Sequence, residues 1–265
     1  MKKTILTAIA AVFVMAAGAH AQMLTGAGAT FPAPVYTKWA EAAKSATGVE
    51  LNYQSIGSGG GQNQIFSRTV DFGASDAPVS ADKLASNNLL QVPTVMGAVV
   101  AIVNVPGIQN NQLHLSPVVL AGIYLGKITS WNDPAIAKDN PGLTLPKLPI
   151  AAVYRADGSG TTFVWTSYLG KISTEWQNSV GANTSVKWPT GNGAKGNDGV
   201  TAVVKQVKGA IGYVESTYAS QNHLIVAQLQ SANGHWVVAN NDSFIAAAKN
   251  ADWKSAPNFA VDLLN

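Results

Sequence analysis

Short apolar runs alternate along this chain with segments of helical pattern, and this alternation limits the folds that it can adopt. The longest of these runs after the N-terminal segment, at residues 97–105, is rich in Val and Ile and predicts a buried strand. Two helices are predicted to begin where a polar N-cap precedes proline, at Ser116-Pro117 and at Asp133-Pro134. Alternating strands and helices are typical of parallel or mixed sheets covered by helices. The sequence therefore predicts an α/β fold.

The remaining predicted elements continue the same order. Strands are predicted at residues 51–54, 70–74, 148–153, 210–214 and 224–227, and helices at residues 34–45, 62–67, 118–124, 161–169, 198–207 and 243–249. The best boundary between two lobes is Pro106-Gly107, because it directly follows the long apolar strand.

Composition excludes several classes of protein. Charged residues make up only 12% and hydrophobic residues 47%, a balance that builds cores and excludes a disordered chain. The chain has no cysteine, which excludes disulfides, thiolate metal ligands and a thiol nucleophile. It has four histidines in unrelated contexts, so no metal or other cofactor is predicted.

Residues 1–21 have the pattern of a cleavable signal peptide. Lys2 and Lys3 precede an apolar run at residues 5–17, and Ala19-His20-Ala21 fits a cleavage site after Ala21. An uncleaved N-terminal anchor helix is the alternative. Without this segment 15 basic and 14 acidic residues remain, and no cluster of Lys and Arg offers a surface for a phosphate backbone, so nucleic acid is not expected as a partner. The sequence thus predicts an exported protein.

Four glycine-rich segments, each with Ser, Thr or Asn, are predicted to be loops that precede helices. They lie at residues 25–31, 56–61, 157–161 and 191–198. Glycine lets a backbone approach a ligand closely, and a helix N-terminus presents unpaired N–H groups. Such loops at the carboxyl ends of strands favour a site for an anion.

The chain has only two arginines, Arg68 and Arg155. The planar guanidinium of arginine can donate two parallel N–H hydrogen bonds to a tetrahedral anion or a carboxylate, which lysine cannot do. Arg155 stands beside the third glycine-rich loop, where Asp157 can hold its guanidinium in place. The alternative is that Arg155 and Asp157 form an ordinary surface ion pair. Arg68 is predicted to lie on the surface.

Two enzyme classes compete with simple anion binding. Residues 191–196 match G-x-G-x-x-G and Glu215 follows the next strand, as in a dinucleotide site, although Pro189 interrupts the approach to the loop. Asp157 replaces the first glycine of a G-x-S-x-G motif around Ser159, which disfavours a serine hydrolase. A secreted phosphate-ester hydrolase or a dinucleotide-binding enzyme remains the alternative function.

Six colinear motifs between Leu24 and the end of the chain resemble the periplasmic phosphate-binding proteins of phosphate ABC transporters. They are TGAGATFPAPVYTKW, YQSIGSGGG, TVDFGASDAP, IYLGKITSWNDPAIAKDNPGL, RADGSGTTFVWTSYL and KGNDGV…GAIGYVE. The resemblance implies a two-lobed, type II-like periplasmic-binding-protein fold with the ligand in the cleft. It also implies a monomeric, non-enzymatic receptor that delivers inorganic phosphate to an inner-membrane permease. A secreted phosphate-scavenging adhesin or sensor with the same site is a further alternative.

The resemblance also implies a set of ligand-binding residues. They are Thr30, Phe31, Ser58, Asp76, Arg155, Asp157, Ser159, Gly160 and Thr161. Asp76 is the unusual member, because a carboxylate repels an anion unless the ligand brings a proton for it to accept. Hydrogen phosphate has such a proton and sulfate has none, so we expect sulfate to be rejected. The alternative is that Asp76 only caps the turn at Asp76-Ala77-Pro78.

The resemblance further implies how the chain divides. Residues 22–103 are expected to form the N-terminal part of the first lobe, and residues 104–265 the second lobe. In this family the chain then returns to complete the first lobe, and here that return is expected to be missing. We therefore expect a C-terminally truncated chain whose first lobe is destabilised, exposes a strand edge, aggregates and binds phosphate weakly.

Overall fold

The computed structural model describes residues 23–261, 263 and 264, so the predicted signal peptide at residues 1–21 lies outside the described residues. The strands are β1 (Met23–Gly28), β2 (Glu50–Ser55), β3 (Phe72–Ala74), β4 (Val99–Val103), β5 (His114–Leu115), β6 (Ala151–Arg155), β7 (Asn192–Ala194), β8 (Ala210–Glu215), β9 (Ile225–Val226), β10 (Gln228–Gln230) and β11 (Trp236–Val237). The helices are α1 (Ala33–Thr47), α2 (Ser58–Phe66), α3 (Ala81–Ser86), α4 (Pro117–Tyr124), α5 (Pro134–Asp139), α6 (Gly160–Ile172), α7 (Thr174–Ser179), α8 (Gly196–Gln206), α9 (Ser216–Gln221) and α10 (Asn241–Lys249), with a 3₁₀ turn at Pro257–Phe259. The predicted α/β class is confirmed.

The first lobe is built on a parallel three-stranded sheet in the order β2-β1-β3, with α1 and α2 packed on it. The prediction of a loop from residue 25 was wrong for residues 25–28, which form the central strand. The small side chains explain the difference, because they let α2 lie directly on the strand. A Cβ on Gly61 of α2 would lie 2.4 Å from the Cα of Gly28. Only glycine at position 61 allows this contact.

The second lobe contains the central sheet of the molecule, in the order β7-β6-β8-β4-β9. β6 is parallel to β7 and β8, whereas β4 is antiparallel to both β8 and β9. All six residues of β8 are buried, since helices cover both faces of the sheet. One face packs on a large hydrophobic cluster that includes Trp131, Trp165 and Tyr213. The other face packs on a smaller, mainly aliphatic cluster that includes Val200 and Val204.

The division between the lobes differs from the predicted one. β4 hydrogen-bonds to β8 along its whole length, from Val99 to Val103. The chain therefore passes from the first lobe into the second before Val99, and not after residue 103 or at Pro106-Gly107. An apolar run predicts a buried strand but does not predict its neighbour, which is a long-range choice. The expected loss of a return segment stays a prediction.

A small sheet, in the order β11-β10-β5, lies at the edge of the second lobe. A buried side chain, Asn140, joins this sheet to the end of α5. Its Oδ1 accepts a hydrogen bond from the N–H of His114 at 2.8 Å, and its Nδ2 donates to the carbonyls of His114 and Ile136 at 2.8 Å each. Asn140 therefore satisfies backbone groups that would otherwise be buried without partners.

The carboxyl ends of six strands point toward the contact between the lobes. The segments that follow β1, β2 and β3 in the first lobe meet those that follow β6, β7 and β8 in the second. The helices α2, α6 and α8 begin at this contact and direct their N-termini into it. None of the described helices has the length and apolar composition needed to cross a membrane.

Replacing Asn140 by alanine should destabilise the second lobe. The His114 N–H and C=O would lose their buried partner, so we expect the free energy of unfolding to fall by about 2–4 kcal/mol. Urea denaturation followed by circular dichroism measures the change. As a control, Asn132→Ala removes an exposed amide and should change stability by no more than about 0.5 kcal/mol. Equal effects of the two substitutions would contradict this role for Asn140.

Candidate anion-binding site

Arg155 lies at the end of β6 and is almost completely buried, with its side chain 1% exposed. Its Nε donates to Oδ1 of Asp157 at 2.9 Å and its Nη2 donates to Oδ2 at 2.5 Å, which makes a bidentate ion pair. The alternative of a surface ion pair is therefore wrong. The remaining terminal nitrogen, Nη1, lies 3.4 Å from Oγ1 of Thr161 and points toward the contact between the lobes. The pair thus leaves one guanidinium edge available to a ligand.

Asp157 joins two segments of the second lobe as well as holding Arg155. Its Oδ1 also accepts a hydrogen bond from the N–H of Gly196 at 2.9 Å, at the start of α8. Burial alone would raise the pKa of Asp157, but the hydrogen bonds and charge of Arg155, with the Gly196 N–H, hold the pKa below its ordinary value. Asp157 is therefore a stable anion that neutralises the buried guanidinium.

The N-terminus of α6 lies against the first lobe. Ser159 caps the helix, since its Oγ accepts from the N–H of Thr162 at 3.0 Å. Gly160 follows, and a Cβ there would lie 2.5 Å from Oγ of Ser58 and 2.7 Å from the backbone nitrogen of Asp76. A side chain at position 160 would push the lobes apart, so glycine is required for this approach.

Ser58 is fully buried at the start of α2 and bridges the lobes. Its Oγ accepts from the N–H of Asp76 at 3.2 Å in its own lobe and from the N–H of Gly160 at 3.0 Å in the other. Nearby, the N–H of Gly59 donates to the carbonyl of Gly158 at 2.8 Å. Two backbones thus pack directly against each other, and the cleft is closed.

Asp76 follows β3 and faces the second lobe. Its Oδ2 accepts a hydrogen bond from Oγ1 of Thr161 at 3.2 Å. Burial raises the pKa of Asp76 to about 7, although the charge of Arg155 and the Thr161 hydroxyl oppose the rise, and Glu215 adds to it. The turn-cap alternative is wrong, because Ser75 holds the turn by bonding to both the N–H and the carbonyl of Ala77.

Thr30 and Phe31 lie between the end of β1 and the start of α1. Thr30 is 3% exposed and is contacted by two residues of the second lobe, Asn197 and Tyr218. The ring of Phe31 packs beside Gly97, where a Cβ would lie 3.0 Å from it. The nine predicted residues therefore lie together at the contact between the lobes.

Sequence reasoning missed the roles of Asn197 and Tyr218. Asn197 stands within the motif KGNDGV, but nothing in a local pattern shows that its side chain crosses to the other lobe. Tyr218 lies in α9, a helix that the sequence did not predict.

The dinucleotide alternative is not supported. β7, Asn192–Ala194, occupies the middle of the G-x-G-x-x-G segment, so the motif is not a loop. The Glu215 carboxylate accepts from the N–H of Thr217 at 2.8 Å and from the Ser216 hydroxyl at 2.8 Å, and it caps α9. The described residues also hold no cluster of His, Cys, Asp or Glu suited to a metal ion.

Comparison with known proteins identifies the family. The PBP superfamily domain matches residues 15–260. The phosphate-binding protein PstS of Pasteurella multocida is 56% identical over 246 residues, which is 93% of this chain and 72% of that protein. The PstS protein of Haemophilus influenzae is 51% identical over 247 residues, covering 93% of this chain and 74% of that one. The chain belongs to the PstS family of phosphate-binding proteins.

A solved structure with the same fold agrees with the predicted architecture. It is a high-affinity periplasmic phosphate-binding protein, PfluDING, bound with phosphate at pH 8.5. The match has a TM-score of 0.66 at 23% identity and covers 89% of this chain and 68% of that one. The two-lobed periplasmic-binding-protein fold predicted from the sequence is confirmed.

The raised pKa of Asp76 predicts how the stability of the ligand-free protein depends on pH. The folded state binds this proton more tightly than the unfolded chain, whose ordinary value is 3.8. The stabilisation from protonation is therefore present below pH 3.8 and is lost as the pH rises through about 7. Asp76→Asn should match the wild type in stability at low pH and exceed it at pH values above 7. Urea denaturation of both proteins across this pH range tests the prediction. A stability difference between Asp76→Asn and the wild type that stays constant with pH would refute it.

Proposed function

We propose that this chain binds hydrogen phosphate between its two lobes and delivers it to an ABC-type importer in the inner membrane. The observation that carries the proposal is one carboxylate, Asp76, set among N–H and O–H donors from both lobes. The donors suit an anion, and the carboxylate suits an anion that carries a proton. Both curated relatives described above are named as phosphate-binding proteins, which agrees with this chemistry. The proposed ligand-binding residues are Thr30, Phe31, Ser58, Asp76, Arg155, Asp157, Ser159, Gly160 and Thr161.

The hydrogen bonds of Ser58 support its role as a donor to the ligand. A hydroxyl has two lone pairs and one hydrogen. Both lone pairs of Ser58 face N–H groups, those of Asp76 and Gly160. Its hydrogen is therefore left for the anion.

Arg155 supplies the charge that the ligand requires. A buried divalent anion is stable only when it is neutralised and fully hydrogen-bonded. The bidentate contact with Asp157 fixes the plane of the guanidinium and directs Nη1 into the site. Binding then needs little further ordering of this long side chain.

Asp76 selects for protonation of the ligand. An ionised carboxylate can only accept hydrogen bonds, so it binds a protonated oxygen and repels an unprotonated one. At pH values above about 7, where Asp76 is ionised, hydrogen phosphate satisfies this acceptor, whereas sulfate leaves it unpaired against an anion.

The protein is a substrate-binding protein of the transport class, not an enzyme. We do not propose the hydrolase or dinucleotide alternative, because β7 occupies the middle of the G-x-G-x-x-G segment and Glu215 caps α9. We propose that the protein acts in the periplasm as a monomer after removal of residues 1–21. The near balance of 15 basic and 14 acidic residues argues against nucleic acid as a partner.

Replacing Asp76 by asparagine should relax the rejection of sulfate. The amide can donate a hydrogen bond to an unprotonated oxygen, so we expect the preference for phosphate over sulfate to narrow by about tenfold or more. Isothermal titration calorimetry with each anion measures it. Asp82→Asn, an exposed carboxylate of the first lobe, should leave both affinities unchanged. Equal affinity of the wild type for sulfate and phosphate would refute proton-dependent selection.

Replacing Arg155 by alanine should weaken phosphate binding by about 2–5 kcal/mol, because it removes one partner of a desolvated charge pair. The same calorimetric titration measures the loss. Arg68→Ala is the matched control, since Arg68 is exposed and donates to the carbonyls of Asn87 and Asn88. Similar losses from the two substitutions would contradict the special placement of Arg155.

A further inference from the structure

The Thr30 hydroxyl is bound across the closed cleft by one residue of the second lobe. Asn197 donates to Thr30 Oγ1 twice, from its Nδ2 at 2.6 Å and from its backbone N–H at 3.3 Å. Both residues are buried, with exposures of 0% for Asn197 and 3% for Thr30. Buried hydrogen bonds of this kind are costly to break, because water cannot replace the lost partner.

These two contacts determine what the hydroxyl can do. Both lone pairs of Thr30 Oγ1 accept from N–H groups, so its single hydrogen must be donated elsewhere. A hydroxyl free of these contacts could rotate and present a lone pair to the anion instead. Asn197 therefore makes Thr30 a donor, and it does so only when the lobes are closed.

Asn197 is itself held in one orientation. Its Oδ1 accepts from the N–H of Glu215 at 3.1 Å, which directs its Nδ2 toward Thr30. The preceding residue, Gly196, has a positive φ of 71° and donates to the Asp157 carboxylate. The segment that carries Asn197 is thus tied to the Arg155–Asp157 pair.

A second residue of the same lobe reaches the same point. The Tyr218 hydroxyl donates to the carbonyl oxygen of Thr30 at 2.7 Å. Two helices of the second lobe, α8 and α9, therefore hydrogen-bond to the side chain and to the backbone of Thr30.

We propose that Asn197 is a positioning residue that couples closure of the lobes to recognition of the anion. It stabilises the closed state through Thr30 and sets the Thr30 hydroxyl as a donor to the bound ligand. The inference rests on the proposed phosphate site between the lobes. The contact between Asn197 and Thr30 mainly slows dissociation of the ligand. Association begins from the open state, in which this contact is absent.

The test uses Asn197→Asp, which keeps the size of the side chain but removes its donor, with Asn197→Ala as the second variant. Each variant should raise the dissociation rate of inorganic phosphate roughly tenfold or more. The association rate should change by less than about threefold. Both rates are measured by stopped-flow tryptophan fluorescence and by chase of radiolabelled phosphate.

A double-mutant cycle with Thr30→Val separates positioning from general destabilisation. In the Thr30→Val background, where the hydroxyl is absent, Asn197→Ala should raise the dissociation rate by less than about twofold. Asn140→Ala is the control, because it removes a buried amide of the second lobe that bonds to His114 and Ile136 and not to Thr30. It should lower stability and leave the dissociation rate unchanged.

Four results distinguish failure of the proposed function from failure of the positioning role alone. A wild type that does not bind phosphate refutes the proposed function itself. A wild type that binds, with Asn197 variants whose dissociation rate stays within twofold of normal, overturns only the positioning role. The positioning role is also overturned if Asn197→Ala raises the dissociation rate equally in the wild-type and Thr30→Val backgrounds. It is likewise overturned if Asn140→Ala raises that rate as much as Asn197→Ala does.

Discussion

The buried ion pair between Arg155 and Asp157 is the interaction on which the rest of the site depends. A guanidinium cannot be buried unless it is neutralised and hydrogen-bonded. Asp157 meets both needs and also binds the N–H of Gly196, so the charge of Arg155, the start of α8 and the position of Asn197 are linked. Removing Asp157 would therefore disturb the charge and the closing contact together.

The second constraint is the close approach of backbones at the contact between the lobes. Gly160 leaves room for Ser58 and Asp76, and Gly59 bonds directly to Gly158. Because the segments that meet follow the carboxyl ends of strands and begin helices, their N–H groups point inward. The result is a region rich in donors in which Asp157 is paired with Arg155 and the Asp76 carboxylate is left as an acceptor, which fits a protonated oxyanion better than a fully ionised one.

Closure and recognition use the same groups. Ser58 and Thr30 each accept hydrogen bonds from the opposite lobe, and each is thereby left with one hydrogen to donate. A ligand that accepts these hydrogens favours the closed state, which is how differential contacts shift a conformational equilibrium. The raised pKa of Asp76 adds a cost to the ligand-free protein that a proton on the ligand can relieve.

The sequence by itself determined the α/β class, most of the longer helices and strands, and the residue types of the site. Local patterns carry that information, since apolar periodicity, caps and glycine-rich turns act over a few residues. It did not determine that residues 25–28 are the centre of a sheet, nor that β4 pairs with β8 in the second lobe. Only the tertiary structure decided that Asn197 and Tyr218 reach Thr30, 167 and 188 residues away along the chain. Such contacts depend on how the two lobes pack against each other, and a local pattern of residues does not predict that packing.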